Sequence, residues 1–164
     1  MTTNRFDVND PELRESFLRH EVRRAVDRLG EASVASWGRM GAQQMVEHLI
    51  WAFELSTGQA HTECLVPVAE LPRMKTFLYS NRPAPMDFMN PALVGGLPPL
   101  RYARLTEAKG ALQRALERFL DGPRSSEQLY THPVFGPIGY DEWHRTHCKH
   151  TYHHLLQFSL IESE

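Results

Sequence analysis

The sequence has few cysteines, no long apolar run and almost no net charge. Its 164 residues include 2 cysteines, Cys64 and Cys148, which are too few for a disulfide framework and indicate two reduced thiols. A formal net charge of -2 gives no electrostatic basis for binding nucleic acid or an anionic membrane. Residues 1–7 lack the apolar run of a secretory signal, and no stretch reaches transmembrane length. We therefore expect a cytoplasmic protein with neither nucleic acid nor membrane as a partner.

Length and composition predict a single domain over residues 1–164. The chain is 41% hydrophobic and 23% charged, which is ordinary for a protein with one full core. Four segments carry the 3.6-residue periodicity of amphipathic helices. The first begins at Asp10, a candidate N-cap, with Pro11 at the first helical position. The predicted helices cover about 11–30, 41–56 and 106–121, and from Gly139 or Tyr140 almost to the end of the chain.

The segment 61–104 differs from the rest because it contains seven prolines and the pair Gly95-Gly96. Regular structure there must be short, and we predict only a brief helix over 73–79. Nothing alternates with a period of two for long enough to predict a sheet. The sequence therefore predicts an all-α fold, a four-helix bundle with a long proline-rich crossover between helices 2 and 3. Such bundles often build metal sites from side chains on facing helices.

Two histidines near the carboxyl end have the spacing of metal ligands on a helix. In the segment 149–158, which reads KHTYHHLLQF, His150 and His154 are four residues apart. On a helix they lie one turn apart in height and about 40° apart around the axis, so both can reach one ion. A third ligand must come from elsewhere. His48 is the best candidate, because it lies among apolar residues on the second predicted helix.

Each of these histidines also has a simpler interpretation. Taken alone, His48 fits a hydrogen-bonded core residue better than a ligand. Several imidazoles on one inner face without a shared partner, however, would leave buried nitrogens unsatisfied at about 1–3 kcal/mol each. A divalent ion would satisfy them together. The metal site is therefore the preferred interpretation of the group.

The fourth helix carries further histidines. His147 lies on the same stripe, one turn before His150, and we expect it to assist catalysis as a proton shuttle or to orient a ligand. His144 and His153 are expected on the surface or flank. Cys148 points about 160° away from His150, which is poor geometry for a thiol ligand.

The order of motifs along the chain points to a family. WGRM at 37–40 precedes His48, HPVFG follows at 132–136, and an H-x-x-H-H element occupies 150–154. Together they resemble the DinB-like (YfiT-type) superfamily over nearly the whole chain, and more narrowly a branch of unknown function. The resemblance implies an up-and-down four-helix bundle, a metal bound by three histidines, and frequent homodimers. Carried over one by one, the ligands fall on His48, His150 and His154.

The resemblance fixes the chemistry less well than the fold. Characterised members are similar to thiol-dependent transferases and isomerases, or to metal-dependent hydrolases. A three-histidine metal can lower the pKa of a bound water or thiol to near neutrality, so we expect a metal-dependent enzyme acting on a small electrophile. A non-catalytic, metal-containing protein that binds a ligand or partner is the alternative. Zinc or nickel is the preferred metal, with iron or manganese as alternatives.

Other residues leave two interpretations open. A low-molecular-weight thiol would need a cationic pocket, and the sequence cannot rank the four candidates Arg39, Arg73, Lys75 and Arg82. His132 could be a turn residue at the bundle end or could border the pocket. Trp37 and Trp143 are expected to be core anchors more than substrate platforms.

Apolar residues on the flank of the second helix, Val46 and Ile50, predict a homodimer.

Overall fold

Most of the chain is helical, with one small antiparallel sheet. The computed structural model describes residues 7–163. The α-helices are α1 (Pro11–Ser16), α2 (Val22–Asp27), α3 (Ala42–Ser56), α4 (Leu71–Thr76), α5 (Leu105–Asp121) and α6 (Tyr140–Gln157). The strands are β1 (Tyr130–His132) and β2 (Gly136–Ile138). Short 3-10 turns lie at Val68–Glu70, Phe77–Tyr79 and Pro91–Leu93. Within the described residues, no helix combines the length and apolar character needed to cross a bilayer.

The first predicted helix forms where expected but contains an irregularity. Asp10 is the N-cap, and its carboxylate accepts hydrogen bonds from the backbone amides of Glu12 (2.9 Å) and Leu13 (3.1 Å). Between α1 and α2, the segment Phe17–Glu21 is π-helical. Periodicity did not predict this turn, because five residues are too few to distinguish π-helical from α-helical spacing.

The last helix is shorter than predicted. It ends at Gln157, and Ser159 follows with a left-handed φ of 53°. Ile161 therefore lies beyond the end of this helix, although it is still buried. The amide of Leu160 reaches back to the carbonyl of Leu155 (2.9 Å), so the chain folds over the helix terminus and buries the apolar tail.

The core lies between the long helices. α3 packs against α5 and α6, and α2 contacts both of those helices. Val46 and Ile50 are fully buried in this core (0% and 1% exposed), so the reason given for a homodimer was wrong. The helix turns these two residues inward together with Met45 and Leu49, which makes its buried face wider than one stripe. The homodimer itself stays a prediction.

The proline-rich segment has only short structure, and the brief helix predicted over 73–79 forms as α4 and the 3-10 turn after it. The hairpin of β1 and β2 was not predicted, because strands of three residues are too short to show alternation. Gly136 has a φ of 73° in this hairpin, and a Cβ there would lie 2.9 Å from Leu71 Cδ1. A glycine is therefore required for both conformation and space.

Both ends of the segment 83–100 are held beside the histidines. Lys149, next to His150, donates hydrogen bonds to the carbonyls of Ser80 and Arg82. On the other side Glu47, next to His48, accepts the backbone amides of Arg101 (2.7 Å) and Tyr102 (3.1 Å). No residue from 83 to 100 is buried. The segment is thus anchored on α3 and α6, and its residues are exposed or half-buried between the anchors.

Candidate metal centre

Three histidines on two helices bring one ring nitrogen each to a common point. His150 Nε2 lies 2.8 Å from His48 Nε2 and 3.2 Å from His154 Nε2. All three candidate ligand atoms lie within 4.8 Å of one another. His48 comes from α3, and the other two are one turn apart on α6. The three residues predicted as ligands are therefore close enough to bind one metal ion.

Burial keeps these imidazoles neutral. Desolvation lowers the pKa of His48 to about 4 and that of His154 to about 3, and it holds the pKa of His150 well below the usual value. Neutral imidazole is the form that binds a metal. His48 and His154 are 9% and 6% exposed, and His150 is partly buried. The group is thus ready to bind a cation at neutral pH without first losing protons.

Gln157 determines which nitrogen of His154 carries the proton. Its Nε2 lies 3.0 Å from the carbonyl oxygen of Trp37, which can only accept, so the amide must donate there. Gln157 Oε1 then faces His154 Nδ1 at 2.7 Å, and that nitrogen must be the donor. Neutral His154 therefore carries its proton on Nδ1 and presents a bare lone pair on Nε2 to the other two rings.

A bound cation would satisfy the three ring nitrogens better than hydrogen bonds among the three imidazoles do. With His154 Nε2 unprotonated, both contacts can be hydrogen bonds only if the single Nε2 proton of His150 serves both His154 and His48. One proton shared between two acceptors is a poorer solution than an ion that accepts all three lone pairs. Nitrogens bound at about 2.0–2.1 Å to one tetrahedral ion lie about 3.3 Å apart. The separation of 2.8 Å between His48 and His150 would widen by about half an ångström, and the separation between His48 and His154, which is at most 4.8 Å, would become about 3.3 Å.

No carboxylate belongs to the group. Among the described residues, the group of possible metal ligands consists of the three histidines alone. Glu47, the acid nearest in sequence to His48, uses its oxygens for the amides of Arg101 and Tyr102 and for Gln43 Nε2 (3.0 Å). The carboxylate of Glu47 is therefore already used by other hydrogen bonds.

His147 lies deeper in the core than its predicted role requires. Its Nε2 is 2.8 Å from Ser56 Oγ, and its ring stacks on Phe53 with centroids 3.9 Å apart. Ser56 Oγ donates to the carbonyl of Phe53, so it accepts from His147 Nε2–H and leaves Nδ1 bare. That Nδ1 is buried without a hydrogen-bond partner among the described residues. His147 is 1% exposed, and its hydrogen bond and its stacked rings involve residues other than the three ligands, so its catalytic role stays a prediction.

The other histidines of α6 are placed partly as predicted. His144 was expected on the surface or flank but is 3% exposed, so the expectation of an exposed side chain was wrong. Its Nδ1 accepts a hydrogen bond from Nε of buried Arg14 (3.0 Å), a contact 130 positions away in sequence that periodicity cannot show. His153 is half-buried on the flank, and its ring meets Trp37 edge-on at 5.8 Å. Cys148 is buried and directs its thiol to the carbonyl of Arg14, away from the ligands.

His132 is the turn residue that one of its two interpretations predicted. Its Nδ1 accepts the backbone amides of Val134 (3.0 Å) and Phe135 (3.2 Å) at the hairpin turn. The ring also contacts Trp143, which is 1% exposed and acts as a core anchor. Trp37 is half-buried and lies over α6 instead.

Two of the four candidate cations are already paired. Arg73 forms an ion pair with Glu70, and Lys75 lies 3.7 Å from Glu142. Arg39 and Arg82 form no ion pair with any residue from 7 to 163, and both are exposed. Arg39 lies two positions after Trp37, whose carbonyl accepts a hydrogen bond from Gln157 of α6. The carbonyl of Arg82 itself accepts a hydrogen bond from Lys149 of the same helix.

Comparisons with known protein families, with curated proteins and with solved structures found no significant match. The geometry of the three histidines and their surroundings therefore carries the functional argument.

Proposed function

We propose that the protein is a metal-dependent enzyme whose divalent ion is held by His48, His150 and His154. The observation that carries the proposal is the convergence of three Nε2 atoms, two of the separations being 2.8 Å and 3.2 Å, with the proton of His154 directed to its other nitrogen. A bound ion with three neutral ligands would supply Lewis acidity and lower the pKa of a water or thiol at its remaining position. The reaction class is transfer of a thiol to a small electrophile, or hydrolysis.

The surrounding residues support a reactive site more than a closed structural one. Three histidines provide one ligand fewer than the four of most structural zinc sites, and the two cysteines are free and not part of the group. Free thiols agree with the reducing cytoplasm as the proposed location. Imidazole favours zinc or nickel, whereas manganese favours carboxylates, which are lacking among the described ligands.

We also propose that the helices form an up-and-down four-helix bundle of the DinB-like type. Packing of α3 against α5 and α6, together with the contacts of α2 to both, supports this arrangement. In it, the first helix is α1 with α2, and the segment 61–104 is the crossover between α3 and α5.

A non-catalytic binding protein is the second candidate. It is favoured by one observation: the oxygens of Glu47 are occupied by backbone amides, and His147 is enclosed by aromatic rings. The hydrogen bonds of these two residues go to Arg101, Tyr102 and Ser56 and not to the three ligands. A binding protein would need no proton transfer at the centre.

Turnover separates the two candidates. Zinc-loaded and nickel-loaded protein should be assayed with an activated aryl ester, and with a small thiol plus an alkyl halide. The proposal predicts turnover that His150→Ala abolishes and that His153→Ala, the neighbouring control, retains. Stoichiometric metal without turnover of either probe would favour the binding protein instead.

A further inference from the structure

We infer that Gln157 is a positioning residue that sets the tautomer of His154 and joins it to the loop of Trp37 and Gly38. This inference rests on the metal centre proposed above. Gln157 is 4% exposed, and each end of its amide has one partner of fixed character. The carbonyl of Trp37 orients the amide, and the oriented amide then holds the proton on His154 Nδ1.

The loop before α3 packs its backbone directly against the side chain of Gln157. Gly38 has a φ of 79°, and a Cβ at this position would lie 2.7 Å from Gln157 Nε2. The same loop also holds the backbone of Gln157, because the amide of Ser36 donates to its carbonyl at 2.7 Å. The WGRM motif thus has a physical role in this chain: its tryptophan supplies the carbonyl, and its glycine supplies the space.

Loss of this contact would affect the ligand and not only the fold. Without an acceptor at Nδ1, neutral His154 is free to carry its proton on Nε2, the nitrogen that faces His150. That tautomer cannot bind a metal through Nε2. Outer partners of ligating histidines typically change metal affinity by about 10–100-fold when they are removed.

Two substitutions separate positioning from stability. Gln157→Leu removes both hydrogen bonds at nearly constant size. Gln157→Glu keeps an acceptor for His154 Nδ1 but places a carboxylate opposite the carbonyl of Trp37. The first should lower affinity for Co²⁺ by about 10–100-fold. The second should lower the melting temperature of the chelated protein while leaving Co²⁺ affinity within about threefold of the wild type, because the proton stays on Nδ1. Gln113→Leu, which removes a side-chain bond to Glu117 on α5, is the matched control and should leave Co²⁺ affinity unchanged.

The experiment combines Co²⁺ titration with nitrogen NMR of the metal-free protein labelled at histidine. We expect His154 to show the Nδ1–H tautomer in the wild type and in Gln157→Glu, and a mixture of tautomers in Gln157→Leu. Wild-type Co²⁺ affinity in Gln157→Leu, or an Nε2–H tautomer in the wild type, would overturn the role of Gln157. Failure of the wild type to bind Co²⁺ would overturn the metal centre instead, and the spectra distinguish the two because they need no metal.

Discussion

Lys149 donates a hydrogen bond of 2.6 Å to the carbonyl oxygen of Arg82 and so joins α6 to the proline-rich segment one residue before His150. The same ammonium group also binds the carbonyl of Ser80 and lies 3.9 Å from the centroid of the Phe77 ring. Burial lowers the pKa of Lys149 to about 8. The contact therefore holds the segment against the ligand helix most firmly when the amine is charged.

Removing this amine should loosen the segment 77–82. Lys149→Met keeps the apolar stem but leaves two carbonyls without their charged donor, so we expect the free energy of unfolding to fall by about 1.5–3 kcal/mol. Urea denaturation of the chelated protein measures the change. Lys109→Met is the control, since Lys109 makes one exposed contact of 3.3 Å to the carbonyl of Asp27. An equal loss in both variants would show that the contact with Arg82 has no special weight.

Acid should destabilise the fold well before the carboxylates are protonated. Burial lowers the pKa of His132 to about 3 and of His144 to about 4, and it holds that of His147 well below its usual value. The unfolded chain takes up these protons near pH 6.5, whereas the folded chain resists them, so stability is full above that pH and falls as the pH decreases.

Urea denaturation between pH 7.5 and 4.5, with a chelator present, tests this dependence. His144→Asn keeps an acceptor near Arg14 and removes one titrating group, so its stability should fall less steeply with decreasing pH. A flat profile for the wild type would mean that these imidazoles are not buried in solution.

Metal removal should weaken the fold without unfolding it. The core between α2, α3, α5 and α6 consists of apolar side chains, whose packing needs no bound metal. Chelation should therefore lower the melting temperature and leave the helical circular dichroism at room temperature nearly unchanged. Loss of the helical signal would identify a structural site in place of an open one.

The helical spacing of His150 and His154 was sufficient to predict that they share a face, because a helix fixes relative direction. Predicting His48 as the third ligand required only that two amphipathic helices turn their apolar faces inward. Helix bounds were predicted to within a few residues where caps and stop signals are strong, as at Asp10 and Asp121.

The features that the sequence did not reveal all depend on contacts between distant segments. Gln157 lies in the same segment, 149–158, as two of the predicted ligands, but its role requires the carbonyl of Trp37, 120 positions away. The prediction for His144 was wrong because the direction of a side chain around the helix axis does not show that Arg14, from a distant segment, packs against it. The part of Glu47 in anchoring residues 101 and 102 depends on the path of the crossover, which periodicity does not show.

Metal content of protein purified without a histidine tag tests the central claim most directly. Elemental analysis after growth with added zinc and nickel should find one divalent ion per chain in the wild type and in His153→Ala. His48→Ala, His150→Ala and His154→Ala should each lose most of it, because two imidazoles hold an ion far more weakly than three. A wild-type protein without metal under these conditions, or a site emptied by His153→Ala and not by His154→Ala, would contradict the account.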